Sequence, residues 1–376
     1  VDLSYTPEED EFRARLREWL AKALPGLPPK PRPEDWPGRR AYDLGWQRAL
    51  YDAGYADVHW GASPTVRLIF LEETEKAGAP YVGANFVGLL HAGPTIAAEG
   101  TEEQRARWLA PILRGDEVWC QGFSEPGAGS DLAALRTRAW RDGDDYVVSG
   151  SKIWTSHAEV ADWCELLVRT DPGAPRHRGI SWLAMPMTAP GVTVRPLRTL
   201  AGSAEFAEVF LDEVRVPASH RVGAENDGWR VTMVTLSFER GTAFVGEVVA
   251  CRRVLVDLAR AARANGTWDD PELRHRLGRL NAEFRALWRL TQWNVSEAEG
   301  RGVPGVGGSV FKLRYSHVRQ ELYDAAAAVL GPDALDLDRP WVLDRLSSLS
   351  YTIAAGTSQI QRNIVAERIL GLPKGR

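Results

Sequence analysis

The chain reads Cys120-Gln121-Gly122-Phe123-Ser124-Glu125-Pro126-Gly127-Ala128-Gly129-Ser130-Asp131 and, past a hairpin signal, Ser151-Lys152-Ile153-Trp154-Thr155-Ser156. The first stretch is a small-residue turn. Glycines at 127 and 129 permit close backbone approach to a ring edge or a phosphate, and Ser124 and Ser130 add hydroxyl donors. The second stretch sets an indole, Trp154, beside hydroxyls at Thr155 and Ser156. Donors on one side and an aromatic face on the other suit a flat, redox-active ring.

Outward from this pair the sequence divides into three. Residues 136–140 and 146–149 flank Asp142-Gly143-Asp144-Asp145, a hairpin signal, and apolar runs at 163–169, 180–187, 192–197 and 205–216 continue as short strands between Pro/Gly turns. Before them, Thr6-Pro7-Glu8-Glu9 is a helix start, followed by an apolar stripe at Phe12, Leu16, Trp19 and Leu20. Residues 25–37 form a proline-rich break. Further helices are expected at 42–55 and 64–77, a buried helix pair at 85–98, and a helix capped by Thr101 that ends before Gly115. After a polar linker at 217–228 the period is again helical. Asp270-Pro271 opens a helix with the stripe Leu277, Leu280, Phe284 and Leu287, spaced for bundle packing, and two more are expected at 310–330 and 344–370. The order α, β, α predicts an α+β chain with a helical domain at 1–115, a β-domain at 116–222 and a helical domain at 223–376.

Composition narrows the function. At 376 residues with a net charge of −4, the chain has no global basic field directed at nucleic acid. Three scattered cysteines form neither a disulfide framework nor a metal spacing, and none of the seven histidines falls in H-x-H or H-x-x-x-H. With no long apolar run, a cytoplasmic location is expected. Ser149-Gly150-Ser151-Lys152 spells S-x-x-K without its partner motifs, and Gly127-Ala128-Gly129 lacks the third glycine of a dinucleotide fingerprint.

The pair S-E-P-G-A-G-S-D and K-I-W-T-S resembles the flavin-binding core of the acyl-CoA dehydrogenase family. The terminal Ala355-Gly356-Thr357-Ser358-Gln359-Ile360-Gln361-Arg362-Asn363 is similar to the segment that, in that family, reaches flavin across a subunit interface. The resemblance spans nearly the whole chain. It implies a helical N-terminal domain, a central β-domain, a C-terminal four-helix domain and FAD as cofactor. It also implies an acyl-CoA substrate, an electron-transfer flavoprotein as acceptor and a tetrameric assembly.

Residue by residue, the resemblance assigns flavin contacts to Gln121, Phe123, Ser124, Gly129, Ser130, Trp154, Thr155, Ser156, Thr357 and Gln359, with Gly331 a further contact. Substrate contacts fall to Ser130, Ser237, Arg240 and Gly356. Most relatives carry the catalytic glutamate immediately before the terminal G-T, where this chain has Ala355. Isovaleryl- and long-chain-type relatives place it earlier, in an E-R pair on a helix, which matches Glu239-Arg240. Glu239 is therefore expected to take the α-proton while the β-hydride passes to flavin N5. The ordinary alternative for Glu239 is pairing with a surface arginine. Ala355 retains the backbone N–H that polarises the thioester carbonyl, and Ala354-Ala355 removes bulk, which leans toward a branched, long or cyclic acyl group. The usual P-x-E-Y-G-G loop after His59-Trp60 and the adenine-binding R-x-x-F-G segment are absent from the sequence. Two other readings stay open: a flavin oxidase or monooxygenase of the same fold, and one subunit of an α2β2 heterotetramer.

Overall fold

The computed structural model describes residues 4–242, 244–301 and 307–374, and the side chains of 4–237, 244–299 and 307–374. Helix α1 (Pro7–Ala23) begins at a reciprocal cap: Thr6 Oγ1 accepts from the Glu9 N–H at 3.2 Å and Glu9 Oε2 from the Thr6 N–H at 2.8 Å. Its stripe faces inward, with Leu16 and Leu20 buried and Phe12 and Trp19 packed against the same core. Helices α2 (Trp36–Asp52) and α3 (Pro64–Lys76) follow. The proline-rich break ends earlier than expected because Asp35 caps α2 and Pro37 sits in its first turn, where the missing N–H costs nothing.

The expected helix pair at 85–98 is instead a 3₁₀ turn, Gly83–Asn85, a π turn, Gly88–Ala92, and the short α4, Gly93–Glu99. A π turn admits one extra residue per turn and re-aims the side chains beyond it. Helix α5 (Glu102–Arg114) is closed by a Thr101–Gln104 capping box and by Gly115 at φ 70°.

The strands are β1 (Trp119–Gly122), β2 (Arg138–Asp142), β3 (Asp145–Ser156), β4 (Trp163–Arg169), β5 (Ile180–Pro186), β6 (Val192–Leu197), β7 (Phe206–Pro217) and β8 (Arg221–Val222). They form one eight-stranded sheet in the order β6-β7-β3-β2-β4-β5-β8, with β1 parallel to β4. The expected polar linker thus contributes a short strand, β8. Side chains alternate across the pleat. Trp119, Leu167 and Trp182 point to a core shared with Leu89, Ile96 and Trp108, while Cys120, Leu166 and Leu183 point to a second core with Val209 and Val214. Burial on both faces accounts for the near-continuous apolar runs of β4 and β5.

The C-terminal helices are α6 (Gly228–Thr242), α7 (Val245–Asn265), α8 (Pro271–Arg301) and α9 (Gly307–Leu330). Leu277, Leu280, Phe284 and Leu287 of α8 are all buried in a core that also holds Leu16, Leu50 and Leu68 from α1, α2 and α3. The expected helix at 344–370 is broken into α10 (Val342–Ser348), a 3₁₀ turn, α11 (Ser358–Ile364) and a π turn at Val365–Ile369. The break is set by Ala355 at φ 51° and Gly356 at φ 82°, left-handed backbone that no helix continues through.

Candidate active site

The two opening motifs are stitched together. The Ile153 N–H donates to the Ser124 carbonyl at 2.9 Å. Lys152, one residue earlier on β3, is fully buried and donates to the Phe123 carbonyl at 3.2 Å and to Glu125 Oε1 at 2.9 Å. Glu125 also accepts from the backbone N–H groups of Arg136 and Thr137, at 2.6 and 2.8 Å. Burial pushes its carboxyl up, but Lys152 and the Thr137 donors outweigh that, so Glu125 titrates below the usual carboxylate range. Burial pulls Lys152 below the usual lysine range, with Glu125 opposing.

This framework holds the turn that follows. Glu125 and Ala128 exchange backbone hydrogen bonds at 3.1 and 3.0 Å, closing Pro126-Gly127 into a tight loop. A Cβ built on Gly127 or Gly129 would meet nothing within 4 Å, so the backbone there faces open space, and Ser130 is exposed beside it. Across from it, β3 breaks register with β7 between Lys152 and Thr155. In that bulge Trp154 takes φ 62°, and its indole is 59 % exposed, touched edge-on by Phe206 at 6.0 Å. Thr155 Oγ1 is buried with no hydrogen-bond partner among the described residues. Open glycine backbone, hydroxyls at Ser124, Ser130 and Ser156, and an outward indole fit a flat ring with a polar edge and an attached phosphate.

Gln121 and Phe123 lie on or just beyond β1, under this turn, and Phe123 is buried. The other expected contacts sit elsewhere in the protomer. Thr357 caps α11, its hydroxyl accepting from the Ile360 N–H at 3.1 Å, and Gln359 is exposed on that helix. Gly356 is held from below: Lys312, buried on α9, donates to its carbonyl at 3.2 Å and to that of Tyr351. Gly331, φ 58°, is exposed at the end of α9. Ser237 lies on α6, where its hydroxyl donates back to the Val234 carbonyl at 2.7 Å. Glu239 and Arg240 belong to the same helix, and their side chains lie outside the described residues.

Three site-forming residues were not singled out from the sequence. Lys152 and Glu125 pair across the two motifs, and Lys312 carries the terminal turn. Lysine is scarce in this arginine-rich chain, and a rare lysine inside a small-residue motif is the signal that marks Lys152. Cys120 is buried, and burial beside Cys164 raises its thiol well above the usual range, so it is a packing residue. Among the described residues no group of three or more His, Cys, Asp or Glu is placed to hold a metal, and no helix is long and apolar enough to cross a membrane.

A helical segment, a sheet carrying a small-residue cradle and a helical bundle follow one another along the chain. Domain models of the acyl-CoA dehydrogenase family match in succession: the N-terminal domain over residues 6–116, the middle domain over 120–214 and the C-terminal domain over 226–370. The chain belongs to the acyl-CoA dehydrogenase family. It is 40 % identical to acyl-CoA dehydrogenase IpdE1 of Mycobacterium tuberculosis, over 97 % of this chain and 98 % of that protein. Among solved structures it is similar to the Tcur3481–Tcur3483 steroid acyl-CoA dehydrogenase, with a TM-score of 0.84, 31 % identity and full coverage of both chains. It is also similar to the ChsE4–ChsE5 complex of Mycobacterium tuberculosis, with a TM-score of 0.81, 32 % identity and full coverage of both.

Proposed function

We propose that the protein binds FAD in the cradle formed by Ser124, Gly127–Ser130 and Trp154–Ser156, and that it oxidises an acyl-CoA thioester to its 2,3-enoyl-CoA. The observation that carries this reading is the Lys152–Glu125 and Ile153–Ser124 stitching, which holds a glycine turn open opposite an outward tryptophan. Bound FAD supplies the acceptor for the hydride lost from the β-carbon. The chain's own part is to take the α-proton, to polarise the carbonyl and to exclude water. Glu239 is the base we assign, since a carboxylate in a dry pocket is matched to an α-proton acidified by a thioester. The backbone N–H at 355 is the donor we assign to the thioester oxygen. Glu239→Gln is expected to keep FAD and to lose α-proton exchange; normal turnover by that variant defeats the assignment.

The substrate class we infer is a bulky, ring-bearing acyl-CoA derived from a steroid. Support comes from the whole-length similarity to the steroid acyl-CoA dehydrogenase and from small, exposed side chains at Ala354 and Ala355. An anaerobic titration with straight, branched and steroid side-chain acyl-CoAs tests this, because only a substrate bleaches the oxidised flavin band. We assign an electron-transfer flavoprotein as acceptor; rapid reoxidation in air would instead favour the oxidase reading.

Burial of the C-terminal segment against another subunit is favoured by a specific observation. Leu335, Ile353 and Leu370 are 89, 68 and 64 % exposed on the C-terminal segment that also carries Thr357 and Gln359. Apolar side chains left open beside cofactor residues suit burial against another subunit. Size and flavin content of the chain purified alone and with a co-expressed related chain distinguish homotetramer from α2β2.

A further inference from the structure

The terminal turn is attached to the helical bundle through polar contacts. Leu349 and Ile353, on the segment that leads into it, are 49 and 68 % exposed, so apolar packing within the chain does not hold it. Tyr351 lies between them and is gripped at three points. Its hydroxyl donates to Glu247 Oε1 at 2.9 Å. Its ring lies 4.1 Å beneath the Arg319 guanidinium. Its carbonyl accepts from Ser316 Oγ at 2.8 Å and from Lys312. Glu247 is itself fixed on α7. Its Oε2 accepts from the Tyr315 hydroxyl at 2.7 Å and from Arg319 at 3.3 Å, and Arg319 also donates to the Tyr315 hydroxyl at 2.7 Å. Burial, with Glu247 adding to it, pushes both phenols well above the ordinary tyrosine range, so each carries the proton that it donates. A buried network satisfied in this way fixes one geometry.

The segment that Tyr351 anchors runs directly into the left-handed turn. The Ile353 and Ala354 N–H groups both turn back to the Ser350 carbonyl, at 2.9 and 2.8 Å. The next two N–H groups, of Ala355 and Gly356, have no acceptor among the described residues, and both residues are exposed. Their carbonyls are the held ends: that of Ala355 accepts from Gln361 at 3.1 Å and that of Gly356 from Lys312 at 3.2 Å. Held carbonyls and left-handed backbone, φ 51° and 82°, leave successive N–H groups open to a developing negative charge. We propose that Glu247 is a positioning residue for this turn: through Tyr351 it sets the direction of the Ala355 N–H, the donor to the thioester oxygen. Such a donor acts through its aim, because its bond strengthens as charge gathers on the oxygen.

This inference rests on the N–H at 355 being that donor, and one experiment separates the two. The probe is a steroid side-chain 2-enoyl-CoA, isotope-labelled at the thioester carbonyl and bound to the FAD-loaded enzyme. Hydrogen bonding lowers the infrared stretching frequency of that carbonyl, and a difference spectrum reads it directly. Tyr351→Phe keeps the ring under Arg319 and removes only the hydroxyl. It is expected to return part of the frequency shift toward the free thioester and to lower kcat about tenfold, with KM within about twofold and flavin content unchanged. Glu247→Gln leaves the turn's own residues intact and is expected to do the same to a smaller degree. It carries the test if Tyr351→Phe loses flavin. A shift present in the unaltered enzyme and unmoved in both variants overturns this inference alone. A probe that the unaltered enzyme does not bind, or binds without a shift, overturns the site reading itself and this inference with it.

Discussion

Lys152 on β3 and Glu125 in the cradle turn lie 2.9 Å apart with both side chains buried, and this pair joins the two motifs that make the cradle. Removing one partner leaves the other charge buried and uncompensated. Lys152→Met is expected to lower unfolding stability by about 3–5 kcal/mol. The double variant Lys152→Met/Glu125→Gln is expected to recover part of that loss. Chemical denaturation of the unaltered protein, Lys152→Met, Glu125→Gln and the double variant gives the coupling directly.

The same pair sets an acid limit. Glu125 has its folded pKa below the usual carboxylate value. Its contribution is therefore complete above the unfolded carboxylate pKa and is lost as pH falls through the folded one. Glu125→Gln should flatten the stability curve on the acid side of that range while lowering it at neutral pH. Denaturation midpoints at stepped pH check this.

Two histidines act in a higher window. Burial lowers both His59 and His157 to about 4 from an ordinary 6.5. The unfolded chain takes up these protons first, so stability is full above 6.5 and falls as pH drops from there toward 4, by up to about 1.4 kcal/mol per pH unit for each ring. His157 sits at φ 58°, which asparagine tolerates. His157→Asn should remove its share of the slope and retain the turn after Ser156.

Trp154 separates cofactor binding from folding. An exposed indole at positive φ contributes little to the core, so Trp154→Gly should leave the melting temperature within a few degrees of its original value. The FAD dissociation constant should rise roughly tenfold, about 1.4 kcal/mol of lost ring contact. An unchanged flavin affinity, measured by fluorescence titration, removes Trp154 from the site.

Gly356 tests the terminal turn. At φ 82° a Cβ would be strained and would meet Gln361 Nε2 at 2.7 Å. Gly356→Ala should cost about 1–2 kcal/mol locally and reduce turnover more than it reduces overall stability, since the turn is exposed. Thermal melts beside steady-state rates with a substrate acyl-CoA distinguish these effects.

What could be read in advance follows the range of the interactions. The caps at Thr6 and Thr101 and the Asp142–Asp145 turn are local chemistry, and the structure has them. The α8 stripe is a one-dimensional pattern, and all four of its residues are buried. The break at Ala355 was not legible, because alanine is a strong helix former and the turn is held by side chains outside it: Lys312, distant in sequence, on the Tyr351 and Gly356 carbonyls, and Gln361 on the Ala355 carbonyl. The Glu247–Tyr315–Arg319–Tyr351 cluster was equally hidden. Its members come from three elements, and each alone reads as an ordinary polar residue. Glu239 was proposed from its place in a motif, and its side chain lies outside the described residues.

One core contains α1–α3 together with α7–α9, so the strands are threaded between two halves of a single helical body. During synthesis Leu16, Leu50 and Leu68 leave the ribosome long before Val248 or Leu280 exists to cover them. At roughly 5–20 residues per second, the delay from residue 76 to residue 245 is on the order of ten seconds. The first helices must pass that interval with their apolar faces open. The nascent chain, rather than the finished enzyme, is thus the form most dependent on holding chaperones, and its productive folding waits on the last third of the message.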